Sequence, residues 1–208
     1  MSIRKKLSII ILVLAILTVL TGTAIAAPIS YWYSDSDNIG KWETSPKIWY
    51  SKIDPSGSFP MAVALGHAKL EWNDALGTSI AVTTNDTSAP IKFYGGTKAQ
   101  IDALNLFAPV STTTLGMTAY TDIRRKGVYT YGSSVKTWYT HHEINGYLVS
   151  RTDLSYNNFI KTATHEVGHA MGWRGHSSPA NWVMTQGKIE TITLSTEEKN
   201  HLHQIYVR

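Results

Sequence analysis

His165 and His169 stand four residues apart with Glu166 between them, in the run His165-Glu166-Val167-Gly168-His169. At about 100° per residue on a helix, the two imidazoles leave one face a turn apart and can share one ion, while a carboxylate beside them can take a proton from water. Ile160, Ala163, Val167, Ala170 and Met171 form an apolar stripe on the same helix, and both histidines lie off it. A lone histidine near apolar residues is usually a satisfied core or surface group. A pair at this spacing, flanked by glutamate, is a pattern suited to metal-assisted hydrolysis.

A helix with such a face needs a start, a stop and a scaffold. Asn157 or Asn158 is the expected cap, and Gly172 the expected stop after about Met171. Upstream, Lys47 to Ile53 alternates as a strand and ends at Asp54-Pro55-Ser56-Gly57. Met61, Leu65, Ala68, Trp72, Ala75 and Leu76 recur at helical spacing from Pro60 to the stop at Gly77, which predicts a long amphipathic helix with His67 exposed on it. Ser79 to Thr84 and Ile91 to Tyr94 read as short strands and Lys98 to Phe107 as a brief surface helix. Thr114 to Thr121 and His142 to Val149 read as strands around a polar, tyrosine-rich hairpin or loop at Arg124 to Ser134. Adjacent His141 and His142 face opposite sides of a strand and do not readily chelate one ion together. Ser195-Thr196-Glu197-Glu198 is a capping box that opens a last helix through Tyr206, with His201 and His203 on different faces and solvated.

Of the 208 residues, 43% are hydrophobic and 16% charged, the balance of a globular protein with one core, and one catalytic domain is expected over residues 47–208. Arg4, Lys5 and Lys6 precede an uncharged run from Leu7 to Leu20 and the small-residue signal Ala24-Ile25-Ala26, predicting a secretory signal peptide over residues 1–26. The alternative is an uncleaved membrane anchor, because Leu7 to Ala27 is long enough to span a bilayer. Residues 27–46 read as an irregular arm, or alternatively as a short inhibitory prosegment that sends Asp35 or Asp37 to a metal. Three basic residues and no acidic one lie in the signal, leaving 16 basic against 15 acidic, a charge near +1. With no dense basic block, neither nucleic acid nor, after signal cleavage, membrane is an expected partner, and the chain reads as a monomer. No cysteine is present, so an exported form relies on its core and any bound ions; structural calcium has no clear motif behind it.

Beyond the helix, His165 to Met184 (HEVGHAMGWRGHSSPANWVM) resembles the metzincin zinc metalloproteases, and within them the matrixin-like group. That pattern is two helix histidines, a glycine turn, a third histidine and a later methionine. His165 and His169 match the first zinc ligands, Glu166 the catalytic base, Gly172 the turn, His176 the third ligand and Met184 the methionine under the metal. Ser177 after the third histidine, and the step from there to Met184, are also similar to matrixins. One departure is that Trp173, Arg174 and Gly175 intervene where the family has two residues; Gly175 suits a turn of positive φ that absorbs the extra one. The resemblance implies an α+β fold with a twisted five-stranded mixed sheet, an antiparallel edge strand, three helices and zinc in the active-site cleft. Thr114 to Thr121 is the candidate edge, where an extended polypeptide substrate would bind by strand addition.

What the resemblance implies in function is a secreted bacterial zinc endopeptidase. Three neutral imidazoles leave Zn²⁺ an open position for water, whose pKa falls towards about 7, and Glu166 takes the proton and passes it to the leaving amine. Two alternatives stay open. One is a zinc-bearing surface or binding protein without catalysis, although a structural zinc site takes four protein ligands and has no use for Glu166. The other is a zincin with a carboxylate third ligand, Glu190 or Glu197. Cleavage preference is not legible, because Thr185 to Thr191 does not reveal the depth of the pocket it borders.

Overall fold

A computed structural model describes residues 38–53, 60–131 and 134–206. The predicted signal peptide, Asp35 and Asp37 lie outside the described residues. The elements in chain order are β1 (Asn38–Lys41), β2 (Lys47–Lys52), α1 (Met61–Leu76), β3 (Ala81–Thr83), β4 (Ile91–Gly96), α2 (Lys98–Ala103), β5 (Gly116–Tyr131), β6 (Ser134–Val149), α3 (Tyr156–Ala170) and α4 (Thr196–Tyr206). This is an α+β protein. Its sheet runs β1-β6-β4-β2-β3 with every one of those pairs parallel, and β5 lies antiparallel on the other flank of β6.

Strand β6 is the hub because different stretches of it serve different neighbours. Thr137 to Thr140 pair with β1, Ile144 to Val149 with β4, and β5 follows it along nearly its whole length. Gly146 is required where β6 crosses Phe93 of β4, since a Cβ there would lie 2.4 Å from the Phe93 ring. Helix α1 buries Met61, Ala64, Leu65, Ala68, Trp72, Ala75 and Leu76, and ends where Gly77 turns left-handed at φ 61° with its N–H on Asn73 O. Against it lies α3, in which every residue from Asn158 to Gly168 is buried. The apolar stripe Ile160, Ala163, Val167, Ala170 and Met171 joins Trp72, Trp173, Leu202 and Ile205 in the main core. Each such large side chain contributes roughly 1.5–3 kcal/mol.

Several expectations are corrected. The arm over residues 27–46 is not irregular throughout: Asn38 to Lys41 form β1, which among the described strands pairs with β6, and whose short mixed sequence has no period of its own. The strand reading of Thr114 to Thr121 starts at Gly116 and extends further than expected, because of the two alternatives for Arg124 to Ser134, hairpin or loop, the hairpin is found, with two 16-residue arms. Register shifts near Tyr120, Asp122 and Arg125 break the alternation there that would mark a strand. Six strands and four helices are thus present among the described residues, in place of five and three. No helix among them is long and apolar enough to cross a membrane.

Candidate metal centre

Ser155, rather than Asn157 or Asn158, caps α3. Its Oγ accepts the Asn158 N–H at 3.0 Å, while the buried Asn158 side chain donates to Glu190 Oε1 at 2.8 Å. At the other end the Trp173 N–H returns to Gly168 O at 2.9 Å and the Gly172 N–H to His169 O at 2.9 Å, a Schellman closure around Gly172 at φ 116°. A Cβ on Gly172 would also meet Gly40 O of β1 at 2.0 Å, so only glycine fits. Aromatic donors far apart in sequence hold further carbonyls of this helix and its cap. Trp72 Nε1 donates to Thr164 O at 2.8 Å, Trp42 Nε1 to Ala170 O at 2.9 Å, Tyr120 O–H to His169 O at 2.8 Å and Tyr206 O–H to Met171 O at 2.7 Å.

Gly175 in the following turn takes the positive φ anticipated for it, 71°. Trp173 turns into the core between Trp72, at 6.3 Å between ring centroids, and His201, at 4.0 Å. The Arg174 guanidinium lies 3.6 Å from the centroid of the Tyr120 ring. His176 is thereby returned to the helix, its ring 5.1 Å from those of both His165 and His169. One nitrogen from each of the three histidines lies within 4.8 Å of the others, so the cluster could hold a metal ion. Glu190 and Glu197 are outside it: Glu190 accepts hydrogen bonds from Ser155 and Asn158 at the start of α3, and Glu197 is exposed in the first turn of α4.

Protonation follows from the partners. His165 Nδ1 lies 2.8 Å from Val183 O and His169 Nδ1 lies 2.8 Å from Trp173 O, and a carbonyl only accepts, so each Nδ1 carries the proton. Both Nε2 atoms are then lone pairs, yet they face each other at 3.1 Å. Such a contact calls for a cation. Burial lowers the pKa of His169 to about 4 and holds His165 well below its usual value, so a proton is a poor candidate and a metal ion fits the donor set.

Glu166 is 6% exposed, and burial pushes its carboxyl up to about 7 against the opposing effects of a hydrogen bond from Thr118 and the charge of Lys161. Thr118 Oγ1 sits 2.8 Å from Glu166 Oε2, and Gly116 must be glycine because a Cβ would lie 2.8 Å from Glu166 Cγ. Gly116, Thr118 and Tyr120, alternate residues of β5, therefore face α3. Below the histidines, Met184 is fully buried, and Gly168 makes room for it: a Cβ there would lie 2.7 Å from Met184 Sδ and 2.6 Å from Trp72. The Ser177 N–H donates to Met184 O at 3.0 Å, tying the third histidine to this methionine.

The predicted capping box is present, with Glu198 N–H on Ser195 Oγ at 3.1 Å and Ser195 N–H on Glu198 Oε2 at 2.9 Å. Its second oxygen accepts the Met184 N–H at 2.6 Å, a role the local motif does not announce. Other histidines depart from expectation. His201 is fully buried against Trp173 rather than solvated, because α4 packs that face into the core; His203 is exposed as expected, its Nδ1 3.1 Å from Ala75 O. His67 is half-buried, with Nε2 2.9 Å from Ile192 O. His141 points inward against Trp42 and Tyr120 while its neighbour His142 is half-exposed.

Two cavities, about 610 and 440 Å³, meet at Gly116, Glu166, His176 and Gln186, forming a cleft over the cluster beside β5. Residues that the sequence reading passed over are Thr118, Tyr120 and Lys161. Lys161 alone had a local signal, one helical turn before His165. Compared with known proteins, the chain matches no family model and no curated relative.

Proposed function

We propose that the protein is a zinc endopeptidase of the matrixin-like kind, exported and acting on polypeptide bound in extended form. The observation that carries this reading is the set of three histidine nitrogens within 4.8 Å, beside Glu166 and open to a cleft. His165, His169 and His176 would hold the ion, a nitrogen set typical of catalytic rather than structural zinc. When bound, zinc supplies Lewis acidity that polarises a carbonyl and acidifies water. Glu166 takes a proton from the attacking water and returns it to the leaving amine as the C–N bond breaks. Its raised pKa suits both transfers near neutral pH. Thr118 orients the carboxylate through the hydroxyl at 2.8 Å. Strand β5 pairs only with β6 among the described strands, leaving its outer edge to accept a substrate backbone by strand addition.

The test is hydrolysis of casein or gelatin by zinc-loaded protein, with and without chelator. Glu166→Ala should retain metal, since glutamate is not a ligand, and lose turnover by roughly 10²–10⁴. Should zinc-loaded wild type cleave none of a varied set of unfolded proteins, a non-catalytic binding protein becomes the better reading.

A further inference from the structure

The larger cavity beside the histidines is lined by three basic side chains, Lys161, Arg151 and Lys188. Lys161 is 2% exposed, one turn before His165, and its Nζ donates to Thr185 O and, at 3.2 Å, to Gly187 O. An ammonium has three donors, so two carbonyls leave one, and none of the ion pairs among the described residues includes Lys161. Buried lysines are ordinarily paired, because desolvating a lone charge is costly. Arg151 and Lys188 share a single carboxylate, Asp153: Arg151 reaches it at 2.9 and 2.8 Å, and Lys188 Nζ bonds to one of the same oxygens. Counted with Asp153, these groups carry two positive charges in excess. The carboxylate among the lining residues, Glu166, lies where the cavity meets the histidines.

We propose that this cavity receives a carboxylate-bearing substrate side chain, Asp or Glu at a position flanking the scissile bond, with Lys161 as its counter-charge. The proposal rests on the peptidase reading and adds its substrate class. The charges of Glu166 and Glu198 act on Lys161 without forming an ion pair with it, so an apolar guest would leave its remaining N–H unmet, and a basic guest would meet a lining that is net positive. A carboxylate would accept the spare N–H as a charge-assisted hydrogen bond. A purely structural Lys161, stapling α3 to the loop after Met184, would instead affect every substrate alike.

The test uses quenched fluorescent peptides that differ only in the two residues flanking the scissile bond, each set in turn to Asp, Glu, Leu or Lys. At one flank, kcat/KM for the acidic peptides should exceed that for Leu by about 10- to 100-fold, with Lys lowest. Lys161→Met should reverse the order of Glu and Leu while circular dichroism shows an unchanged fold. The base-less Glu166→Ala variant should bind the same peptides in the same order by fluorescence anisotropy, a readout that needs no turnover. Cleavage with Leu accepted as well as Glu at both flanks overturns the proposal, as does an equal loss on all peptides in Lys161→Met. No cleavage, with Glu166→Ala still preferring acidic peptides, overturns the peptidase reading and leaves the carboxylate pocket standing.

Discussion

The Nε2 atoms of His165 and His169 approach to 3.1 Å although the carbonyls on their Nδ1 atoms leave both as acceptors. A shared cation would resolve it, and His176 is a third donor within reach. His176→Ala should therefore weaken zinc retention by more than the roughly 10- to 100-fold cost of losing a residue that merely supports a ligand. Glu190→Ala and Glu197→Ala should hold zinc like wild type, as measured by metal analysis after dialysis against a weak chelator. The reverse pattern would make a carboxylate the third ligand. His141 offers a second test at this scale, away from the cluster. Burial, and then the charge of Arg174, lower its pKa from 6.5 to about 3. The folded state keeps it neutral while the unfolded chain takes up a proton. Its stabilising effect is therefore full above about pH 6.5 and is lost as pH falls towards about 3, at ~1.4 kcal/mol per unit at most. Urea unfolding of wild type against His141→Phe should show a steeper acid-side slope in wild type, by at most ~1.4 kcal/mol per pH unit, while the slope due to His165 and His169, which burial also holds below the usual value, is common to both.

Helix α3 is capped at its start by Ser155, and its final carbonyls are satisfied from three other parts of the chain, Trp42, Tyr120 and Tyr206. At Gly168 the helix backbone rests on Met184 and Trp72. Ala is the better helix former, so an isolated helix would gain from Gly168→Ala. Here the added Cβ meets Met184 Sδ at 2.7 Å and the Trp72 ring at 2.6 Å. Overpacking should win, lowering stability by about 1–3 kcal/mol, read as a fall in the denaturant midpoint with little change in slope. A stabilised variant would mean that Met184 and Trp72 yield readily.

At the scale of the whole molecule, the site joins segments from both ends of the described chain. Gly40 of β1 sits against Gly172, and Glu198 of α4 holds the Met184 backbone. A metal bound to the three histidines would couple to this entire arrangement, because the unfolded chain scatters the ligands. At free zinc about 1,000 times the dissociation constant, binding contributes about 4 kcal/mol. Chelation should then lower Tm by about 8–16 °C, given ~2–4 °C per kcal/mol at this size. A scanning calorimetry trace unchanged by chelator would count against a metal at this centre.

Within α3 and α1, residue spacing alone was informative, since a helix repeats every few residues and places His165 with His169, or Leu65 with Ala68 and Trp72, whatever surrounds it. The capping box at Ser195 and the left-handed turns at Gly77, Gly172 and Gly175 are equally local, set by backbone sterics and a single side chain. Segments that exist only through partners were not legible. Strand β1 depends on β6 for its hydrogen bonds, and the outer hairpin arms pair across bulges that hide the strand period. Side chains such as His201, Thr118 and Lys161 show the same limit, because burial belongs to the assembled fold. Thr118 meets Glu166 from 48 residues away, and the charge of Lys161 faces a cavity whose other walls come from β5, the segment after β6 and the loop beyond Met184. Helical periodicity brought the first two histidines together; only tertiary packing returned His176, aimed Glu166 and left a buried ammonium beside them.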